Sequence, residues 1–282
     1  MVARSNTPTL IAIVGETASG KTNLALRLAQ LFSGEIICAD AWTLRKKVNI
    51  GTAKPSVQDQ KLVPHHLLDI IEPDQTFNAS NFKSLALREI DSIHKNGKLP
   101  FIVGGSGLYV DSVIYDYSFK GSAGNTEHSK KNSAHDLGET MKSEVSRPVY
   151  DHLPASLSKD RLQIRQNCLV IGLKIQRDVL KARIDSRVDW MISNGLEKEA
   201  EFIYSHYGRK AKALEGIGYN EWKDYFEGDK TINEVRDDII KDTLSLAKRQ
   251  RTWFKRNKSI HWFDTPVDLD NIVDLVTTFL NS

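Results

Sequence analysis

The feature that most constrains this fold is the run Gly15-Glu16-Thr17-Ala18-Ser19-Gly20-Lys21-Thr22. It fits the phosphate-loop pattern G-x-x-x-x-G-K-[ST] at every fixed position. Its flanks agree with it. Leu10-Ile11-Ala12-Ile13-Val14 is a short apolar run that reads as a buried parallel strand. After the loop, Leu24, Leu28, Leu31 and Phe32 share one helical face. A strand, a glycine loop and a helix N-terminus together make an anion site. Backbone N–H groups point into the loop, the helix dipole favours negative charge, and Lys21 adds a full positive charge. Thr22 is placed to hold a magnesium ion beside the phosphates. The loop therefore predicts a di- or triphosphate ligand without saying which one, or what happens to it.

The pattern continues as strand and helix in alternation through about residue 115. Glu35-Ile36-Ile37-Cys38-Ala39 is a second strand candidate ending at Asp40. Asn78 or Ser80 can cap a helix carrying Phe82, Leu85, Ile90 and Ile93, closed by Gly97 and Pro100. Pro100-Phe101-Ile102-Val103 is a third strand running into Gly104-Gly105-Ser106-Gly107. Such alternation predicts an α/β fold: a phosphate-loop NTPase-like parallel sheet flanked by helices. Residues 118–158 are polar and lack a clear period, and read as a short, partly mobile surface insertion. The core then comprises 1–117 and 159–282, with a last sheet strand at Cys168-Leu169-Val170-Ile171-Gly172-Leu173 and a helical C-terminal part. There Leu180, Ile184, Val188 and Met191 share a face. Thr231 and Glu234 form a capping box for a long helix, in which Ile239, Leu246 and Trp253 should face the core and Lys241, Lys248 and Lys255 the opposite side.

Composition narrows the class. Of 282 residues, 40% are apolar and 27% charged, as in a soluble globular protein. No apolar run approaches the ~20 residues that span a bilayer, and Met1–Thr9 lacks the apolar stretch of a secretory signal. Two cysteines, Cys38 and Cys168, suit a reducing, cytoplasmic setting rather than a disulfide framework. The net charge of +3 does not announce a nucleic-acid binder, but residues 241–258 hold seven Lys/Arg and one acid, Asp242.

Several residues can carry chemistry. Ligands of open α/β sheets sit beyond the carboxyl ends of strands, so Asp40 should share a cleft with the phosphate loop. There it can accept a proton or hold a metal through water, or simply cap a turn. The third strand ends in Gly104-Gly105 rather than in the aspartate that many ATPases place beside the loop. Ser106 then reaches the cleft with a hydroxyl, unless the segment is a plain turn. Lys54 is either solvated or a phosphate contact. His65 and His66 invite a metal reading, but adjacent residues seldom chelate one ion and no Cys or third His lies nearby. The stretch from Ala247 to Arg256 is either an exposed basic face backed by aromatics or a contact surface for RNA phosphates.

Taken together, these segments resemble the tRNA dimethylallyltransferases, also called tRNA isopentenyltransferases. The resemblance rests on Gly15–Thr22, on Asn49-Ile50-Gly51-Thr52-Ala53-Lys54-Pro55, and on Pro64-His65-His66-Leu67-Leu68-Asp69. It continues through Ile102–Tyr109, Ala247-Lys248-Arg249-Gln250-Arg251-Thr252-Trp253-Phe254-Lys255 and His261-Trp262-Phe263-Asp264. It implies prenyl transfer. Gly15, Thr17, Ala18, Ser19, Gly20, Lys21 and Thr22 would hold the diphosphate of dimethylallyl diphosphate, with Mg2+ on Thr22. The acceptor would be N6 of an adenosine next to the anticodon of a tRNA, flipped out of its stack. Asp40 matches the family's general base and Ser106 the threonine that contacts the adenine. Ala41, Trp42 and Thr43 occupy the adenine-reading segment, Arg161 and Arg165 a second tRNA-contact segment, and Lys248, Arg249 and Arg251 the basic helix. The chain is expected to act as a monomer on the anticodon arm, away from membranes. It departs from the family where Ala41, Trp42, Thr43, Leu44 and Arg45 replace Ser-x-Gln-x-Tyr, where Glu16 replaces a proline, and in the shortness of the insertion. Two alternatives are prenyl transfer to a free adenine nucleotide and a small-molecule kinase. A third is a non-catalytic RNA-binding relative, which the presence of Lys21, Thr22 and Asp40 opposes.

Overall fold

A computed structural model describes residues 8–119 and 164–282. The chain divides into two units, 1–116 with 164–282, and 117–163. The expected insertion at 118–158 lies outside the described residues except for its first two, and so does Arg161.

Apolar β-branched runs build the sheet. In chain order come β1 (Leu10–Gly15), α1 (Lys21–Leu31), β2 (Gly34–Cys38), α2 (Val57–Leu62), β3 (His65–His66), α3 (Ala79–Lys95), β4 (Leu99–Gly104) and α4 (Gly107–Ile114). After them come β5 (Cys168–Lys174), α5 (Arg177–Ser193), α6 (Leu196–Tyr207), a 3-10 turn (Lys212–Glu215), α7 (Trp222–Phe226), α8 (Ile232–Phe254), β6 (Ile260–Asp264) and α9 (Leu269–Leu280). Among the described residues six strands lie in the order β3-β2-β4-β1-β5-β6, with every pairing between them parallel. The parallel α/β fold read from the sequence is therefore present. Two strands were not foreseen. β3 is only two residues long, and β6 lies where a helical C-terminal part was expected.

Strand alternation divides the core between the two faces of the sheet. Ile11, Ile13, Phe101, Leu169 and Ile171 point to the side covered by Leu24 and Leu28 of α1 and Ile272 and Val276 of α9. α3 and α4 pack on one another and against β4, and α8 reaches β1. A further core joins the C-terminal helices. Leu180, Ile184, Val188 and Met191 of α5 are all buried, as their spacing predicts, against Ile203 of α6, Trp222 of α7 and Val235 and Ile239 of α8.

Local signals set the helix ends. Asn78, not Ser80, caps α3: its side chain accepts from the Asn81 amide, and the Asn81 side chain accepts from the Asn78 amide. The Thr231–Glu234 box caps α8 as expected. Within α8 the seven-residue spacing misplaces the buried face. Ile239 is buried, but Leu246 and Trp253 are half-exposed, and the buried positions further on are Ala247, Gln250 and Phe254. A straight helix turns every 3.6 residues, so its inward stripe drifts from a seven-residue repeat.

The carboxyl ends of β2 and β4 touch. The Gly104 backbone lies so close to Ala39 that a Cβ at 104 would overlap the Ala39 carbonyl. Gly104→Ala should therefore cost about 2 kcal/mol or more by forcing the strand ends apart. In thermal melts that is a fall of several degrees, at roughly 2–4 °C per kcal/mol for a chain of this size; an unchanged midpoint would show that the contact yields easily.

Candidate active site at the carboxyl end of the sheet

β1 delivers the phosphate loop. Gly15 (φ 144°) leaves the strand where a side chain would press on the Leu173 carbonyl, 2.7 Å away, and Gly20 (φ 97°) takes the left-handed turn into α1. Ala18 also adopts positive φ, at 59°. The Ser19 amide donates to the Glu16 carbonyl at 3.2 Å, which closes the loop. α1 has no side-chain cap and no acid in its first turn, so its leading N–H groups remain available to an anion. Thr22 stands exposed in that first turn.

Positive charge converges on the loop. Lys21 Nζ donates to the Glu16 carbonyl at 2.6 Å. Burial, and then the Arg187 guanidinium, push the Lys21 pKa down to about 8, against the opposing pull of Asp40 and Glu16. Arg187 and Arg183 come from α5, one turn apart on one face. Arg183 Nη1 donates to the Ala18 carbonyl at 3.1 Å, and Arg187 Nη1 lies 3.5 Å from the Thr17 hydroxyl. They line a cleft of about 590 Å³ with Ala18, Gly20, Val179, Ala182 and Ser186. Sequence reading missed both arginines. Their only signal was the i, i+4 spacing beside the buried Leu180-Ile184-Val188 stripe.

Asp40 follows β2, one strand removed from β4 and two from β1. It is half-buried, and its Oδ1 accepts the Trp42 amide at 2.8 Å. Burial raises its pKa, while the amides of Trp42 and Thr43 and the charge of Lys21 pull it back. The Ser106 hydroxyl accepts the Ala41 amide at 3.1 Å, and the Ser106 amide donates to the Ala39 carbonyl at 3.3 Å. Asp40 is thus held from both sides by Ser106. The Gly104-Gly105 turn permits the close approach that makes this possible.

Other expected site residues land elsewhere. Thr43 is 6% exposed, with its hydroxyl 3.4 Å from the Asp40 carbonyl, so it is turned into the protein. Trp42 is half-buried, with the Arg45 guanidinium 5.6 Å above its ring. Arg45 itself is buried and donates to the Gln75 carbonyl at 2.6 Å. Arg165 precedes β5 and reaches toward the Pro8 carbonyl (3.4 Å), at the amino end of the sheet. A six-residue strand separates that end from the phosphate loop, roughly 17 Å at the usual rise. Lys54 is not solvated: its buried ammonium bonds Asp69 Oδ1 (2.6 Å) and the Arg45 carbonyl (2.7 Å). His66 lies between Glu35 (2.7 Å) and Glu89 (3.0 Å), tying β3 to β2 and α3. Among the described residues no group of three or more His, Cys, Asp or Glu could hold a metal.

α8 closes the site. Lys248 and Arg249 are exposed, but Arg251 turns inward, its Nε 3.6 Å from the carboxylate of Glu16. Glu16 is 3% exposed, and burial raises its pKa against the pull of Arg251, Lys21 and Lys255. Gln250, which sequence reading passed over, accepts the Thr17 amide at 2.7 Å and donates to the Gly105 carbonyl at 3.1 Å.

The chain is similar to known proteins over nearly its whole length. The sequence matches the family described as "IPP transferase" over residues 44–155 and 139–257. It is 33% identical to the tRNA dimethylallyltransferase of Bacillus licheniformis, over 97% of this chain and 96% of that one. The crystal structure of a tRNA isopentenylpyrophosphate transferase from Bacillus halodurans superposes with a TM-score of 0.77 and 31% identity, covering 98% and 96% of the two chains. A second, from Staphylococcus epidermidis, gives 0.78 and 30%, covering 98% and 99%.

Lys21 is charged below its pKa and loses its charge above it. Affinity for inorganic pyrophosphate at fixed magnesium should therefore weaken as pH rises past 8. Calorimetric titration of wild type and Lys21→Arg checks this. The arginine variant should lose less affinity over the same range, and parallel curves would remove Lys21 from the response.

Proposed function

This chain belongs to the IPP transferase family, the tRNA dimethylallyltransferases, and from that premise we propose how its residues divide the reaction. Dimethylallyl diphosphate binds with its diphosphate on the phosphate loop, and the acceptor is N6 of the adenosine beside the tRNA anticodon. The observation that carries this reading is Asp40, a half-buried carboxylate of raised pKa at the carboxyl end of the sheet, in the field of the phosphate-loop lysine.

The chemistry follows from charge. N6 forms a bond to the allylic carbon, the bond from that carbon to the diphosphate oxygen breaks, and the N6 proton passes to the Asp40 carboxylate. Negative charge grows on the departing diphosphate. The N–H groups of the loop, Lys21, Arg183 and Arg187 are arranged to receive it. Burial raises the Asp40 pKa above the ordinary carboxylate value, which makes it a stronger base than a carboxylate in water. Magnesium fits this donor set. It keeps several waters and takes few protein ligands, and the exposed Thr22 hydroxyl offers one. When bound, the ion would neutralise diphosphate charge.

The tRNA would lie along the exposed basic face of α8. Lys248 and Arg249 are the exposed contacts there, and Arg251, partly exposed beside them, also pairs with Glu16. Base reading differs from the family pattern, because Thr43 is buried where the family carries a glutamine.

The test is direct. The protein is incubated with dimethylallyl diphosphate, magnesium and unmodified tRNA, and the nucleosides are analysed by mass. A gain of one dimethylallyl group on adenosine supports the proposal. A gain only on free AMP moves the acceptor, and no prenyl product overturns the reading. Asp40→Asn should lower kcat at least ~100-fold and leave tRNA affinity within about twofold; a large loss of affinity would contradict its role as base. Replacing Lys248 and Arg249 together by Ala should weaken tRNA binding and flatten its salt dependence by about 0.9 per lost contact in log K against log salt.

A further inference from the structure

We propose that Gln250 is a positioning residue that sets the distance between the diphosphate cradle and the acceptor side of the site. The proposal rests on the reading above and names a residue that this reading does not use.

Gln250 sits on α8 between Arg249 and Arg251, yet it is only 8% exposed. Its amide joins two loops that follow adjacent strands, β1 and β4. Oε1 accepts the Thr17 amide of the phosphate loop at 2.7 Å, and Nε2 donates to the Gly105 carbonyl at 3.1 Å. One partner is a backbone donor and the other a backbone acceptor, so only one orientation of the amide satisfies both. A carboxylate could not donate to Gly105, and an aliphatic side chain could do neither. Gly105 is small for the same reason: a Cβ there would overlap Gln250 Nε2.

The next turn of α8 grips the same loop. A Cβ at Gly107 would overlap Trp253, and Trp253 Nε1 donates to Asp111 Oδ2 of α4 at 2.7 Å. Between these two grips lies Ser106. Its hydroxyl accepts the Ala41 amide and its own amide donates to the Ala39 carbonyl, one on each side of Asp40. Hydrogen bonds and the Gly105–Ser106 peptide link therefore run from Thr17 through Gln250 to Ala39 and Ala41, the residues on either side of Asp40. The Thr17 amide is thus engaged by Gln250, whereas α1 has no side-chain cap on its leading amides. A small displacement between nucleophile and leaving group is costly to a reaction that depends on alignment. The bridge fixes that alignment without touching either substrate.

Gln250→Met and Gln250→Glu in the full chain test this, by steady-state kinetics with tRNA and dimethylallyl diphosphate and by thermal melts. Both variants should lose at least ~30-fold in kcat at pH 8, with both KM values within threefold of wild type. The introduced carboxyl carries the decisive readout. Once protonated it can again accept from Thr17 and donate to Gly105. The kcat of Gln250→Glu relative to wild type should rise as pH falls from 8 to 6, while the same ratio for Gln250→Met stays flat. A merely structural role would move melting temperature and active fraction, but would not produce this pH-dependent rescue. A kcat for Gln250→Met within threefold of wild type, or equal pH profiles for the two variants, overturns the proposal. An inactive wild type overturns both this and the function it rests on; an active wild type with indifferent variants overturns this alone.

Discussion

The site depends on how closely the carboxyl ends of β2 and β4 approach. Gly104 lies against the Ala39 carbonyl with no room for a side chain between them. That contact places Ser106 astride Asp40, with hydrogen bonds to Ala39 and Ala41. It also explains why β4 ends in glycines rather than in a metal-binding aspartate. A carboxylate at 104 would occupy the space that brings Asp40 and Ser106 together. The parallel sheet does the rest, since every strand of one direction releases its loop at the same edge.

Electrostatics at that edge is a strained balance. Lys21 is part-buried beside Arg187, Glu16 and Asp40, and burial with the Arg187 charge lowers its affinity for a proton. Two like charges in a desolvated place repel each other, and a bound diphosphate would relieve that repulsion. Glu16 supplies a partial counter-charge from inside the loop, where it also draws Arg251 inward. A basic residue of α8 that the sequence offers to RNA thus also pairs with the phosphate loop.

α8 has two jobs on two faces. Its exposed face carries Lys241, Lys248 and Lys255 at intervals of seven. Its inner face carries Gln250 and Trp253 onto the glycine loop, by a bond to Gly105 and by packing on Gly107. The same segment that resembles a tRNA-enzyme motif thus holds the glycine loop from behind while presenting charge in front.

What the sequence by itself determined is whatever local pattern and covalent spacing can encode. The strand, loop and helix around Gly15–Thr22, the capping box at Thr231 and the buried stripe of α5 all rest on short-range periodicity or chemistry, and all are present. Asp40 at the carboxyl end of a strand was legible for the same reason. The tertiary structure alone decided which distant groups meet. Lys54 found Asp69, Arg165 turned toward Pro8 at the far end of the sheet, and Thr43 folded inward. Arg183, Arg187 and Gln250 reached the phosphate loop from helices more than 160 residues away. A side chain's composition and spacing do not say which backbone group it will satisfy. That choice is made only when packing removes water and leaves each buried donor and acceptor to find its partner among the groups that the fold has brought near.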